Sequence, residues 1–414
     1  MKKIYLSFLF LFPFSVLIAG DTISVRSHNN VHMNWYGNYD QWAFFPPDTV
    51  SFERIWLIYT MGCPSGGCSD WDYTTKIFIR HRTGALDSTL VQSPKFTVNG
   101  NIVDTIDFSA DTNYIYSFDT SSNTVDSIPA SAMSIILFQN SATPTTPTDT
   151  IVGWTANYYN YLFDSSGNIY DSVFIAADTT MILSYYSYYN VFEVIDEFEI
   201  ARVITPYGGN LTSAWTFPYK FDVTDYVSLL KDSVEIRAFF DGWSDGFNVT
   251  LDFLFVKGTP ARKAYKAVNL WNGGFPYGDP TNSIENYLVP KNVQMDPLAT
   301  SAKLKILQTG HGFGGNENCA EFCPKYNYVY INGVQKFSNL IWKDDCGLNP
   351  LYPQPGTWLY DRANWCPGSQ VKFFEHEIFP IVNAGQTPTM DVNMTPFTNN
   401  GNNSCSYHFS SHII

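Results

Sequence analysis

The feature that most restricts this chain is alternation. From about residue 21 to about residue 260, apolar and polar residues take turns over short runs, and Asp, Asn, Gly and Ser break those runs. Residues 55–60, 76–80, 234–240 and 250–256 show the pattern most clearly. Successive side chains of a strand point to opposite faces, so a period of two lets one face pack while the other meets solvent. No strand–long helix–strand unit recurs, which disfavours a parallel α/β sheet. A single short helix is predicted over 223–227, with Thr224 as its cap. Many short strands between turn signals predict an all-β chain of antiparallel sandwiches. Composition agrees: 17% aromatic and 15% charged residues suit pleated surfaces better than long solvent-facing helices.

The first residues predict where the chain goes. Lys2 and Lys3 precede an apolar run over 4–18, followed by Ala19, Gly20 and Asp21. A basic start, a short apolar centre and small residues at the end read as a secretory signal over 1–20. Pro13 inside the run argues against an ordinary core helix. No later stretch is long enough to span a bilayer, so a secreted or periplasmic protein without a membrane partner is expected. The formal net charge of −14 repels phosphate backbones, so no nucleic-acid partner is expected.

An oxidising compartment gives the seven cysteines a meaning. Cys63 with Cys68, Cys319 with Cys323, and Cys346 with Cys366 form local pairs, read as disulfides, and Cys405 is left over. Zinc is the competing reading. It wants two close cysteine pairs or nearby histidines, and here the short pairs lie far apart in the chain.

Gly258-Thr259-Pro260 punctuates two strand-rich halves, predicting domains over 21–262 and 263–414. Residues 86–196 differ in texture, rich in Thr, Ser, Asp and Tyr, and read as a β-rich insertion into the first domain. Within it, 143–148 (Thr-Pro-Thr-Thr-Pro-Thr) suggests a stiff linker, and 164–168 (Asp-Ser-Ser-Gly-Asn) a turn between two tyrosine clusters.

Several familiar chemical signals fail. Residues 310–315 formally match GxGxxG, but no βαβ unit surrounds them. His376-Glu377 lacks a second histidine four residues on, so it is no zincin motif. His28 and His32 are closely spaced, yet in a strand-rich segment that is more often coincidence than a metal site. No metal and no cofactor is therefore expected. Three acid-bearing segments remain: Asp72 directly after Trp71 and the Cys63–Cys68 pair, Asp241 two residues before Trp243, and Glu321 inside Cys319-Ala320-Glu321-Phe322-Cys323. Turn acids and solvated charges are the bland alternative for each.

At these residues the sequence resembles the peptide:N-glycosidase F family, bacterial amidases that release N-linked glycans. The likeness is an ordered series: Cys63 to Asp72, Ile200-Ala201-Arg202-Val203-Ile204-Thr205-Pro206-Tyr207, Phe221 to Asp225, Gly258-Thr259-Pro260, Cys319 to Cys323, Pro355-Gly356-Thr357-Trp358 with Asp361 to Gly368, and Thr398-Asn399-Asn400-Gly401. It spans nearly the whole chain after residue 20 except the insertion. The resemblance implies two eight-stranded antiparallel jelly-roll sandwiches side by side, with the active site in the cleft between them. It implies Asp72 as the principal catalytic carboxylate, Glu321 as a second acid and Asp241 as a third. Trp71, Trp243, Arg362 and His311 would be substrate-binding residues of the cleft.

The implied substrate is an N-glycosylated protein or glycopeptide, handled by a monomer. This sequence also departs from the family. Asp241 is one methylene shorter than the family's Glu, Tyr73 stands where an arginine follows the catalytic Asp, and Thr309 stands for a tryptophan. With no Ser, Cys or metal centre, the nucleophile would be water, one carboxylate taking its proton and a donor assisting nitrogen departure. Two rival readings exist: a non-catalytic glycan-binding module on the same scaffold, and a copper monooxygenase. The second needs clustered histidine and methionine ligands that the sequence lacks.

Overall fold

The computed structural model describes residues 21–94, 96–98, 101–102, 114–119, 121–122, 124–129, 132–137, 149–154, 158–175, 185–315, 317–351, 353–400 and 404–414. The expected signal and the 143–148 linker lie outside them. Among the described residues no helix is long and apolar enough to cross a membrane.

The alternating runs form antiparallel sheets. Thr22–Met33, Phe247–Lys257, Phe52–Gly62 and Thr216–Asp222 make one sheet in that order. Asn38–Phe45, Asp232–Asp241, Thr74–Pro94 and Tyr185–Ile204 make the sheet facing it. Between them lies an apolar core in which Phe45, Leu57, Ile77, Ile236, Phe253 and Phe255 are fully buried, each such side chain adding roughly 1.5–3 kcal/mol. A second sandwich follows. Its sheets are Val268–Pro276, Ser406–Ile413, Lys303–His311 and Phe374–Glu377, and Lys291–Asn292, Thr389–Met394, Lys325–Ile331 and Val334–Ile341. Leu304, Ile306, Val392, Met390 and Tyr407 fill its core. Each sandwich therefore has eight strands of its own.

The halves are joined by more than the chain. The short strand Ser369–Gln370 pairs antiparallel with Ile204 and Val203, extending the first half's sheet. Ile204, Leu307, Trp365 and Val371 form a small separate core at this junction. The compact unit accordingly comprises residues up to Arg82 together with Ile195–Ile414, whereas Thr83–Val194 forms a second unit. That second unit is also β. It contains a four-stranded sheet and the hairpins Tyr114–Asp119/Thr124–Pro129 and Tyr158–Phe163/Ile169–Ile175. The turn of the last hairpin closes where predicted, with Asp164 Oδ1 accepting from the Ser166 and Asn168 amides at 2.8 Å.

The predicted helix is a single 3-10 turn, Thr224–Tyr226, and Thr224 does not cap it. Its hydroxyl oxygen instead accepts the Ile55 amide at 2.9 Å. A neighbouring strand claims the oxygen that a longer helix would have used.

Candidate active site

Sheet register brings the acids to one place. Asp241 lies opposite Thr74 in the antiparallel ladder, so Trp71-Asp72-Tyr73 and Asp241-Gly242-Trp243 emerge side by side at one sheet end. On the other flank Tyr73 and Thr205 are tied twice. The Tyr73 amide donates to Thr205 Oγ1 and the Thr205 amide to the Tyr73 carbonyl, both at 2.8 Å. This delivers Tyr207, three positions after the strand Tyr185–Ile204, to Asp72. The Cys63–Cys68 disulfide pins the loop leading into this strand.

The second sandwich supplies Glu321 and Arg362. Gly312 adopts φ +72°, a conformation that favours glycine, and there its amide donates to Glu321 Oε2 at 3.3 Å. Its carbonyl accepts the Glu321 amide at 2.9 Å. The Cys319–Cys323 disulfide closes the ring that carries Glu321, and Cys346–Cys366 anchors the segment that carries Arg362. The glycine run that formally matched a nucleotide motif thus serves as a clamp on a carboxylate.

Arg362 is fully buried, and its donors are nearly all spoken for. Nε donates to Glu321 Oε1 at 3.1 Å, Nη1 to the Tyr360 carbonyl at 2.6 Å, and Nη2 to the Thr357 carbonyl and hydroxyl at 3.0 Å. Nη2 also lies 3.5 Å from the Tyr207 hydroxyl, which is a hydrogen-bond partner of Asp72. Asp72, Tyr207, Arg362 and Glu321 are one connected group. Burial raises the Asp72 carboxyl above the usual range, with Arg362 opposing. Burial pushes Glu321 up to about 7; Arg362 opposes that shift and the Asp72 charge adds to it. Two buried carboxyls beside one guanidinium can divide acid and base roles.

Asp241 belongs to an adjoining cluster. Burial raises its carboxyl, and the charges that oppose the rise are Lys76 and Arg202. His408 Nδ1 is 4.0 Å from Asp241 Oδ2. Arg202 is fully buried and makes a two-pronged pair with Glu199, both contacts at 2.7 Å. Its Nη1 donates to Thr309 Oγ1 at 2.7 Å, and the same oxygen lies 2.7 Å from His311 Nε2. Thr309 therefore links a buried cation to a histidine. Burial lowers both His311 and His408 well below the ordinary imidazole value and pulls Lys76 down to about 8. His311 stacks on Trp365 at 5.4 Å and sits 4.4 Å from the His408 ring.

Trp71 and Trp243 are 53% and 51% exposed, with ring centroids 6.2 Å apart, so neither is a core tryptophan. Tyr73 is buried, and its hydroxyl lies 3.1 Å from Ser244 Oγ. Cys405 is buried outside the three disulfides and donates to the Cys319 carbonyl at 2.9 Å. His28 and His376 have structural partners, the Tyr39 carbonyl and Asn339 Oδ1, each at 2.8 Å.

Sequence reasoning gave no role to Tyr207, Thr357, Lys76, Glu199, Arg202 or His408. One signal was available: Glu199 and Arg202 interrupt the apolar run of a strand. Phe198 and Ile200, then Ala201 and Val203, enter the core. The alternation slips by one residue, leaving Glu199 and Arg202 on the opposite face.

Residues 280–414 match the family model described as Peptide-N-glycosidase F, C terminal. The peptide-N(4)-(N-acetyl-beta-D-glucosaminyl)asparagine amidase F of Elizabethkingia miricola is 30% identical over 226 residues, covering 52% of this chain and 63% of that protein. Over these residues the chain is similar to the peptide-N-glycosidase F family. The match thus spans somewhat less than two thirds of that curated relative. Among solved structures, a crystal structure of the same kind of amidase superposes with a TM-score of 0.59 at 20% identity, covering 95% of each chain. PNGase F from Flavobacterium meningosepticum gives 0.58 at 20% identity, again over 95% of each chain. PNGF-II gives 0.56 at 15% identity, over 95% of this chain and 64% of the other. These structural likenesses show the shared double-sandwich fold.

Proposed function

We propose that this chain is a secreted amidase that hydrolyses the amide between an asparagine side chain and the first N-acetylglucosamine of an N-linked glycan. The supporting observation is the buried Arg362, which holds Glu321 directly and reaches the Asp72 partner Tyr207. Water bonds to the amide carbonyl carbon and the carbon–nitrogen bond breaks. Nitrogen leaves as the glycosylamine with a proton, and aspartate remains in the peptide. Asp72, held by the Tyr207 hydroxyl, orients the water and takes its proton. Glu321, poised at about 7, carries the proton that nitrogen needs. Arg362 has most of its hydrogens committed to protein oxygens, which favours a role in holding the two acids over direct oxyanion binding. Asp241 supports from the adjoining cluster, and Trp71 and Trp243 offer flat faces to sugar rings. The chain works as a monomer on glycoproteins or glycopeptides, without metal or cofactor.

The test is Asp72→Asn on a fluorescent glycopeptide, with circular dichroism to verify folding. Turnover should fall by about 10²–10⁴, the usual contribution of a positioned acid or base. Retained turnover in a folded variant would overturn the assignment.

A further inference from the structure

The chain passes from one sheet of the first sandwich to the other through Asn34-Trp35-Tyr36-Gly37, between strands Thr22–Met33 and Asn38–Phe45. Trp35 and Tyr36 have φ of +44° and +54°. Bulky L-residues rarely adopt this region, because Cβ crowds the following carbonyl, and Asn or Gly normally fills such positions. Burial does not explain the choice, since Trp35 is 62% and Tyr36 57% exposed. Strain at exposed aromatic residues calls for another reason.

The turn is also fixed in place. The Tyr39 hydroxyl accepts the Asn34 amide at 2.8 Å and lies within donating distance of the Asn34 carbonyl and Oδ1, at 3.1 and 2.9 Å. The Tyr36 amide donates to the Gly242 carbonyl at 2.8 Å, the Trp35 amide to the Ser244 carbonyl at 3.3 Å, and the Phe240 amide to the Gly37 carbonyl at 3.0 Å. Gly242 permits this dovetailing, because a Cβ there would come within 2.4 Å of the Phe240 ring and 2.7 Å of the Tyr73 ring. The turn is therefore stitched to the loop bearing Asp241 and Trp243, and Trp243 in turn neighbours Trp71.

We propose that Trp35 and Tyr36 extend the Trp71–Trp243 lip into a platform for the pyranose rings of the glycan that lie beyond the sugar joined to asparagine. The identity of this ligand rests on the amidase reading; the platform rests on the turn. Sugar rings fit better than an aliphatic peptide segment or a lipid surface. Residues 34–38 and 241–246 hold no aliphatic side chain, while polar Asn34, Asn38, Ser244 and Asp245 lie in the same two segments as the aromatic residues. A pyranose offers C–H faces to an aromatic ring and hydroxyls to its neighbours. Acidic Asp241 and Asp245 oppose an anionic membrane.

The experiment compares wild type with the double variant Trp35→Gly/Tyr36→Gly on two glycopeptides of one peptide. One bears a full branched glycan, the other only two N-acetylglucosamines. KM for the full glycan should rise about tenfold, with kcat unchanged and the trimmed substrate within about twofold. Because glycine relieves the left-handed backbone, Tm should hold or rise. Equal losses on both substrates, or no loss on either, would overturn the proposal. Should the glycine variant melt early, Trp35→Asn/Tyr36→Asn keeps residues that tolerate this backbone and must give the same split.

Calorimetric titration with the free branched glycan separates the two readings. Binding by wild type that the variant loses upholds the platform even if neither glycopeptide is cleaved. Cleavage without any such binding upholds the amidase and sinks the platform.

Discussion

Arg362 Nε donates to Glu321 Oε1 at 3.1 Å from a guanidinium that solvent does not reach. The carboxyl it holds nevertheless keeps its proton more tightly than an ordinary glutamate. Burial costs the ionised form more than one cation returns, since the nearby Asp72 charge works against it. Glu321 is consequently a group that titrates near neutrality inside a rigid ring.

That titration predicts a pH-dependent stability. An ordinary glutamate loses its proton near 4.5, Glu321 near 7, so between these values the folded protein holds a proton the unfolded chain has released. The stabilisation is complete below about 4.5 and lost as pH rises through 7. Relative to wild type, Glu321→Gln should therefore gain up to about 3 kcal/mol between pH 5 and 9. Urea melts at both pH values measure it. In kcat, a limb with an apparent pKa near 7 should vanish in the same variant, and flat wild-type activity from about pH 4 to 10 would contradict the acid–base scheme.

Replacing Arg362 tests the holding role. Arg362→Met leaves the Thr357 and Tyr360 carbonyls without their donor and Glu321 without its cation, which should cost about 3–5 kcal/mol. Because Arg362 lowers the Glu321 value, its loss should also move the kcat limb above pH 7. Arg362→Lys keeps the charge but not the fork, so its limb should stay nearer to 7. Equal limbs in both variants would mean that charge is not what Arg362 supplies.

Thr309→Val removes the oxygen shared by Arg202 and His311 while keeping the shape. Both partners are buried or nearly so, and a loss of about 1–3 kcal/mol is expected. Thermal denaturation reads the cost. A nearly neutral result would show that the Thr309 hydroxyl contributes little to the link between Arg202 and His311.

Trp243→Ala should separate binding from folding. Half its surface is already exposed, so stability should change by about 1 kcal/mol or less. KM for glycopeptide should nonetheless rise several-fold. A large fall in Tm with an unchanged KM would assign the ring to packing.

The period of two in residues 55–60, 76–80, 234–240 and 250–256 determined the strands, because half-buried sheets require that spacing. Cysteine spacing likewise determined the three disulfides. What alternation could not reveal is that a nominally outward face is covered. Arg202, Lys76, Thr309 and Lys305 sit on strand faces turned away from their own cores, where one sheet read alone predicts solvent. Each sandwich covers part of the other's outward face, and Arg202 and Thr309 become fully buried. Only the tertiary structure decides such a layer, because its partners lie more than 100 positions apart: Arg202 with Thr309, and Tyr207 with Arg362. The same holds for the carboxyls. Sequence named Asp72, Glu321 and Asp241, but burial and the choice of neighbouring cation, Arg362 for the first two and Lys76 with Arg202 for the third, divide them into two clusters. Desolvation depends on everything packed around a group, and no local window of residues contains that.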